Sequence, residues 1–99
     1  MKPVRLRRIA KRHLLKRVRW YRERDPELAE RFLNEVYKTL ALLERLPNAG
    51  GVVFGITDPN IRQMPVDNFP YHIVFKRTPL RTIVLGIVHD RMKPGSWNE

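Results

Sequence analysis

Three consecutive strand-like runs in the second half of the chain limit its possible folds more than any other feature. These candidate strands are 61–66, 69–76 and 81–89. In the middle run, apolar residues alternate with others from Phe69 to Phe75, which is the period of a strand with one buried face. The last run contains the apolar stretch IVLGIV, which is typical of a strand buried on both faces. Because the breaks between the runs are as short as hairpin turns, the stretch predicts an antiparallel three-strand meander.

The first half of the chain predicts a short strand followed by two helices. The predicted elements are a strand over 3–9 and helices over 10–24 and 26–46. In the first helix, Ala10, Leu14, Val18 and Tyr21 recur on one side at helical spacing. That apolar stripe needs a surface to lie on, and the later strands supply one.

The two predicted helices are separated by Asp25 and Pro26, a helix-capping residue followed by one that fits the first helical position. Their short link predicts an antiparallel helical hairpin. Residues 52–60 are compatible with a brief strand or an ordered loop, and residues 90–99 form a basic tail. We therefore expect a single domain over 1–99 of the α+β class, with the hairpin packed on a mostly antiparallel sheet that the meander completes.

The net charge of +10 is concentrated in the first quarter of the chain. Residues 1–24 hold eleven Lys and Arg against the single acid Glu23, whereas residues 25–99 are balanced. Such a surface attracts RNA, DNA or an acidic protein segment. A simpler interpretation is a solvated face that keeps the protein soluble. Transit peptides are also Arg-rich and acid-poor, but the apolar stripe favours a structural helix here.

The composition disfavours several classes of site. The chain contains no cysteine, which removes disulfides and thiolate metal sites and fits a cytoplasmic protein. No apolar run approaches the roughly 20 residues that span a bilayer, so we expect no membrane partner. The motifs of phosphate-binding loops, zinc proteases and serine hydrolases are absent, and the three histidines lack metal-ligand spacing. We therefore expect neither a metal nor a cofactor.

One set of basic residues in and after the meander suits chemistry on a phosphate. The set is Arg62, Lys76, Arg77, Arg81, His89, Arg91 and Lys93. RNA cleavage by 2′-hydroxyl attack needs an acid and a base, for which histidine is suited, and cations at the phosphate, for which arginine is suited. Arg62 and His89 could lie together if the outer strands of the meander flank the middle one. The alternatives are a structural strand-end histidine and arginines that are solvated or paired with carboxylates.

Groups of residues along nearly the whole chain follow the pattern of a known family. In the hairpin they are Ala10, Leu14, Trp20–Tyr21, residues 28–32 (LAERF) and Leu46–Pro47. In the meander and tail they are Ile61–Arg62, residues 69–75 (FPYHIVF), residues 84–89 (VLGIVH), Arg91 and residues 94–97 (PGSW). In this order and spacing, the chain resembles the RelE/ParE family of toxins from bacterial type II toxin–antitoxin modules.

The resemblance implies a toxin that arrests growth when free, of the kind that serves plasmid stabilization, with one of two activities. RelE-like members are mRNA interferases, metal-independent endoribonucleases that act on the ribosome. The matching catalytic positions here are Arg62 and His89, with Arg81 weaker, and Arg77, Arg91 and Lys93 would bind phosphate or target. ParE-like members poison DNA gyrase and are not nucleases.

Two departures from the RNase branch favour the gyrase hypothesis. The tail has no tyrosine, and no lysine pair precedes residue 61, although both features occur among the RNases. A third hypothesis, a basic RNA-binding structural protein, rests on the charge of the N-terminal quarter.

The resemblance also implies a protein partner, because family antitoxins wrap their toxins with a helix and an extended segment, and the two form hetero-oligomers. The first helix of this chain is more basic than is usual in the family, which suits an acidic antitoxin segment. We expect Lys11, Lys16 and Arg19 to contact that segment. Trp20 would serve as an interface anchor, the alternative being packing against the tail or a loop.

Overall fold

The computed structural model describes residues 2–93 and Trp97. The helices are α1 (Arg8–Arg24) and α2 (Pro26–Arg45), and the strands are β1 (Val4–Leu6), β2 (Gly51–Val52), β3 (Ile61–Val66), β4 (Tyr71–Arg77) and β5 (Thr82–His89). They form one sheet in the order β1-β5-β4-β3-β2. β1 is parallel to β5 and every other neighbouring pair is antiparallel. The predicted α+β architecture, with its helical hairpin and three-strand meander, is confirmed.

The two helices pack on one face of the sheet. The predicted stripe of α1 is in place, since Ala10, Val18 and Tyr21 are buried and Leu14 packs against them. From α2, Phe32, Val36 and Leu43 join the same core. Tyr21, Phe32, Phe69 and Tyr71 form a group of mutual ring contacts with centroid separations of 5.2–6.5 Å. Burial of these large side chains contributes to the hydrophobic stabilisation of the hairpin against the sheet.

The start of α2 follows the prediction made from Asp25 and Pro26. The Asp25 carboxylate accepts a hydrogen bond from the Glu27 backbone N–H at 3.0 Å, and Pro26 is the first helical residue. The cap satisfies one of the free N–H groups at the helix start, so the chain turns from α1 into α2 without an intervening loop.

A smaller apolar cluster covers the other face of the sheet. Val53, Val74, Val88 and Trp97 are its buried members. Arg7 holds Trp97 in place, because its Nε donates to the Leu85 carbonyl at 2.6 Å and its Nη2 to the Trp97 carbonyl at 3.0 Å. β5 is therefore covered on both faces, as its apolar sequence predicts.

Several element boundaries differ from the predicted ones. β1 ends at Leu6 because Arg7 already occupies the N-cap position of α1, where its carbonyl accepts a hydrogen bond from the Lys11 N–H at 3.1 Å. α1 therefore begins two residues earlier than predicted. β4 begins at Tyr71 because residues 67–70 form a turn, in which Asn68 has a φ of 67°. The strand β2 overlaps the ambiguous segment 52–60 only at Val52, and the rest of that segment contains turns at 54–55 and 59–60. Residues 94–96, 98 and 99 of the predicted tail lie outside the described part of the chain.

Candidate functional site

Arg62 and His89 lie at opposite ends of the sheet, so the order of the strands alone does not bring the candidate catalytic pair together. Arg62 is paired with Phe75 on β4, whereas His89 is paired with Tyr71. Those partners are four residues apart, which is about 14 Å along a strand. In an antiparallel meander the outer strands β3 and β5 run in the same direction. The beginning of β3 and the end of β5 are therefore far apart even though both strands flank β4.

Arg62 and Arg77 are tied to the turn that precedes β3. Arg62 Nε donates to the Pro59 carbonyl at 2.9 Å, and Arg77 Nη2 donates to the same oxygen at 3.4 Å. The backbone N–H of Arg77 also donates to the Asn60 carbonyl at 2.9 Å. These hydrogen bonds fix the loop before β3 against the sheet, so both arginines help to stabilise the fold.

Lys76 and Arg81 lie at the same end of the sheet as these arginines. The Lys76 ammonium is 3.4 Å from the Asp58 carboxylate. The Asn60 backbone N–H, and to a lesser extent Lys76, hold the pKa of Asp58 below its ordinary value. Arg81 is exposed in the turn between β4 and β5, where its backbone exchanges hydrogen bonds with Thr78. Four of the predicted cations thus gather at one end, away from His89.

A cavity of about 260 Å³ opens at the other end of the sheet, where α1 passes over the end of β5. Its polar lining residues are His13, Lys16, Arg17 and His89, with Ile87, Val88 and Met92 beside them. We refer to it as the α1–β5 cavity. His13 and Arg17 are four residues apart and share a face of α1, which the sequence could have indicated. Only the docking of α1 on β5 brings that face to His89, and this is why His13 and Arg17 were missed.

Tyr71 contacts two of the cavity's polar residues. The Arg17 guanidinium is 5.1 Å from the centre of the Tyr71 ring, and the His89 ring meets it edge-on at a centroid separation of 5.1 Å. Burial raises the pKa of Tyr71 to about 12, against the opposing effect of the Arg17 charge. The phenol is therefore uncharged at neutral pH, and its ring orders the two basic side chains.

Arg91 and Lys93 follow β5 on exposed chain next to His89. The Arg91 backbone N–H donates to His89 Nδ1 at 3.1 Å. These two predicted phosphate-binding cations therefore belong to the His89 end, and the proposed set of basic residues divides into two separate groups.

Lys11, Lys16 and Arg19, which are predicted to contact an antitoxin, line one groove of about 570 Å³ on the outer side of α1. Arg8, Arg12 and Leu15 complete its lining, and we call it the α1 groove. Leu15 is 65% exposed among these cations. Of the ion pairs formed within the described residues, none uses a lysine or arginine of α1.

Trp20 is 41% exposed and lies outside the α1 groove. The Arg24 guanidinium stacks 3.7 Å from the centre of its ring and donates to the Trp20 carbonyl at 2.8 Å. The indole of the tail, Trp97, packs instead with Val74 and Val88 on the far face of the sheet. Trp20 thus remains an exposed, cation-stacked aromatic side chain.

Residues 2–93 and 97 contain neither a membrane-spanning helix nor a cluster of metal-binding side chains. No helix there has the length and apolar character needed to cross a membrane. In the same residues, no three histidine, aspartate or glutamate side chains come together as a metal ion would require.

The fold is similar to that of a chain from the chromosomal ParDE TA system from P. aeruginosa. The two superpose with a TM-score of 0.75 at 19% sequence identity, over 90% of this chain and 96% of that one. At 19% sequence identity, this similarity shows that the two chains share a fold. No curated protein sequence matches the chain.

The sequence itself matches a family model that describes the ParE toxin of the type II toxin–antitoxin system parDE. The match runs over residues 4–94, which includes every helix and strand of the fold. The chain therefore belongs to the ParE toxin family of type II toxin–antitoxin systems.

Proposed function

We propose that the protein is a growth-arresting toxin that binds and poisons DNA gyrase without cleaving nucleic acid. The observation that carries this proposal is the match of residues 4–94 to the ParE toxin model. The placement of Arg62 and His89 at opposite ends of the sheet supports it, because a shared phosphate cannot touch both.

The runner-up function is ribosome-dependent cleavage of mRNA with His89 as the acid or base. Its supporting observation is the basic surroundings of His89, which lies in the α1–β5 cavity with Lys16 and Arg17. Arg91 and Lys93 follow it in sequence, but Arg62 takes no part at that end.

Mapping mRNA 5′ ends in a cell-free translation reaction separates the two functions. With purified protein added, the gyrase proposal requires intact mRNA. New 5′ ends that need ribosomes would replace it with the RNase function, and His89→Ala should then reduce cleavage by about 100-fold. Arg62→Ala is the matched comparison, since Arg62 lies too far from His89 to share a substrate phosphate.

We further propose that an acidic segment of the cognate antitoxin docks in the α1 groove and forms the hetero-oligomer of toxin and antitoxin. Leu15 supplies an exposed apolar anchor, and cations surround it, which is the arrangement of an interface with an apolar centre and a charged rim. An amphipathic acidic helix has the complementary pattern.

The electrostatics of α1 support the same partner. The first turn of α1 contains no acid, and Arg7 makes no side-chain cap. Arg8 and Lys11 lie in this first turn, near the positive end of the helix dipole, where cations are unfavourable. Arg8 and Arg12 also repel one another at a spacing of four residues. Carboxylates from a partner would offset both costs.

The docking proposal is tested by reversing Lys11, Lys16 and Arg19 to glutamate together and measuring antitoxin affinity at several salt concentrations. We expect affinity to fall by about tenfold or more and its salt dependence to weaken. The matched control reverses Arg31, Lys38 and Arg81, which are exposed outside the groove. Equal losses in both triple variants would mean that total charge, rather than this groove, recruits the antitoxin.

A further inference from the structure

The α1–β5 cavity contains hydrogen-bond donors and cations but no carboxylate among its described lining residues. His13, Lys16, Arg17 and His89 supply its polar groups. Asp90, which follows His89 in the sequence, does not line the cavity, and its carboxylate lies 3.0 Å from His72 Nδ1. A cavity with this lining favours an anion, because lysine and arginine can only donate hydrogen bonds.

Both histidines of the cavity are held in the same donor form. The Ile87 backbone N–H donates to His13 Nδ1 at 3.2 Å, and the Arg91 backbone N–H donates to His89 Nδ1 at 3.1 Å. Because Nδ1 accepts in each case, the hydrogen of the neutral ring is on Nε2. The neutral His89 ring therefore offers its Nε2–H as a hydrogen-bond donor to the cavity.

The basic side chains are positioned by the core rather than left on the surface. Tyr71, which is 4% exposed, contacts both Arg17 and His89 through its ring. Gly86 allows His13 to approach β5, since a Cβ at residue 86 would lie 3.2 Å from the His13 ring. Three of the four polar groups thus have a fixed place before any ligand arrives, which lowers the entropic cost of binding.

We propose that the α1–β5 cavity binds a phosphate group. A phosphate offers three or more oxygens to donors on different sides, whereas a carboxylate offers two, and arginine matches pairs of phosphate oxygens with its planar fork. The phosphate belongs either to a free or terminal monoester or to an internal phosphodiester of a nucleic-acid strand. Lys16 lines both this cavity and the α1 groove, so the site adjoins the most basic surface of the molecule. Phosphate binding in this cavity does not depend on which cellular target the toxin poisons.

The imidazole C–H resonances of the three histidines test this site by NMR at fixed pH and ionic strength. Inorganic phosphate should shift His13 and His89 with a saturating curve. His72, which is paired with Asp90 and does not line the cavity, is the internal control and should stay in place. Equal shifts of all three histidines, or shifts that rise without saturation, would overturn the proposal.

Two further ligands identify the source of the phosphate. A 5′-mononucleotide carries a terminal monoester, and a dinucleoside monophosphate carries only an internal diester. Saturation by the first alone assigns a free or terminal phosphate, and saturation by the second alone assigns a strand phosphate. If neither ligand nor inorganic phosphate gives a saturating curve, the cavity is not a phosphate-binding site.

Charge removal separates a built site from general attraction to a basic protein. Arg17→Gln should weaken phosphate binding by about tenfold, the usual effect of losing a hydrogen bond to a charged group. Arg22→Gln removes the same charge from an exposed position of α1 outside the cavity and should leave affinity within about twofold. If Arg17→Gln disturbs the fold, Lys16→Gln, at an exposed position of the cavity, replaces it as the cavity variant. Equal weakening by the cavity and control variants would contradict the proposal.

Discussion

Gly86 determines how closely α1 and the tail approach β5. A Cβ at this position would lie 2.7 Å from the Trp97 Cβ and 3.2 Å from the His13 ring. We expect Gly86→Ala to destabilise the protein by about 1–3 kcal/mol, the usual cost of overpacking. Urea unfolding measures the change. Gly51→Ala is the matched control, because nothing lies within 4 Å of its added Cβ, and similar losses in both variants would contradict the packing argument.

Tyr71 makes stability depend on pH in the alkaline range. Burial raises its pKa from 10.0 to about 12, so the folded phenol keeps its proton where the unfolded one loses it. The resulting stability is complete below about pH 10 and is lost as the pH rises through about 12. Tyr71→Phe should therefore show a shallower fall in the free energy of unfolding over that range. Tyr37→Phe, at a side chain that is 55% exposed, should keep the wild-type slope, and the same slope in all three proteins would refute the assignment.

Single residues were the hardest part to predict from the sequence, for two different reasons. The separation of Arg62 from His89 follows from strand direction alone, so the error lay in considering strand order without direction. The approach of His13 and Arg17 to His89 is different. It depends on how α1 docks across β5, a tertiary contact that no local pattern encodes.

At the scale of elements, the cap at Asp25 makes the sharp passage from α1 to α2 possible. Asp25→Ala removes the acceptor of the 3.0 Å bond from the Glu27 N–H. We expect a loss of about 1 kcal/mol in the free energy of unfolding, measured in urea. Asp25→Asn keeps an acceptor oxygen and should restore most of the loss. An alanine variant as stable as the wild type would show that the cap contributes nothing.

Element type was predictable here because propensity, periodicity and end signals agree. The stripe of α1, the Asp25–Pro26 start of α2 and the apolar run of β5 each led to the element observed. The boundaries at Arg7 and Phe69 were not predictable in the same way. Arg7 ends β1 because it occupies the N-cap position of α1 while its side chain bonds to the Leu85 and Trp97 carbonyls, and Phe69 leaves the strand to join the aromatic core. Tertiary contacts therefore determine both of these element boundaries.

At the scale of the molecule, the charge asymmetry of the sequence becomes two neighbouring surfaces on α1. The α1 groove, with Leu15 among its cations, suits an acidic protein segment. The α1–β5 cavity suits a single phosphate and shares only Lys16 with the groove. An antitoxin segment that engages Lys16 would therefore weaken phosphate binding, and the two ligands should compete. The cations at the other end of the sheet mainly brace the Asp58–Asn60 turn.

The central claim, poisoning of gyrase without nuclease activity, is tested most directly by supercoiling of relaxed plasmid with purified gyrase and ATP. We predict that the protein inhibits supercoiling or traps cleaved DNA, and that adding antitoxin first prevents this. His89→Ala should stay active in this assay, because the proposed mechanism needs no acid or base. Unimpaired supercoiling at protein concentrations that arrest growth in cells would contradict the account.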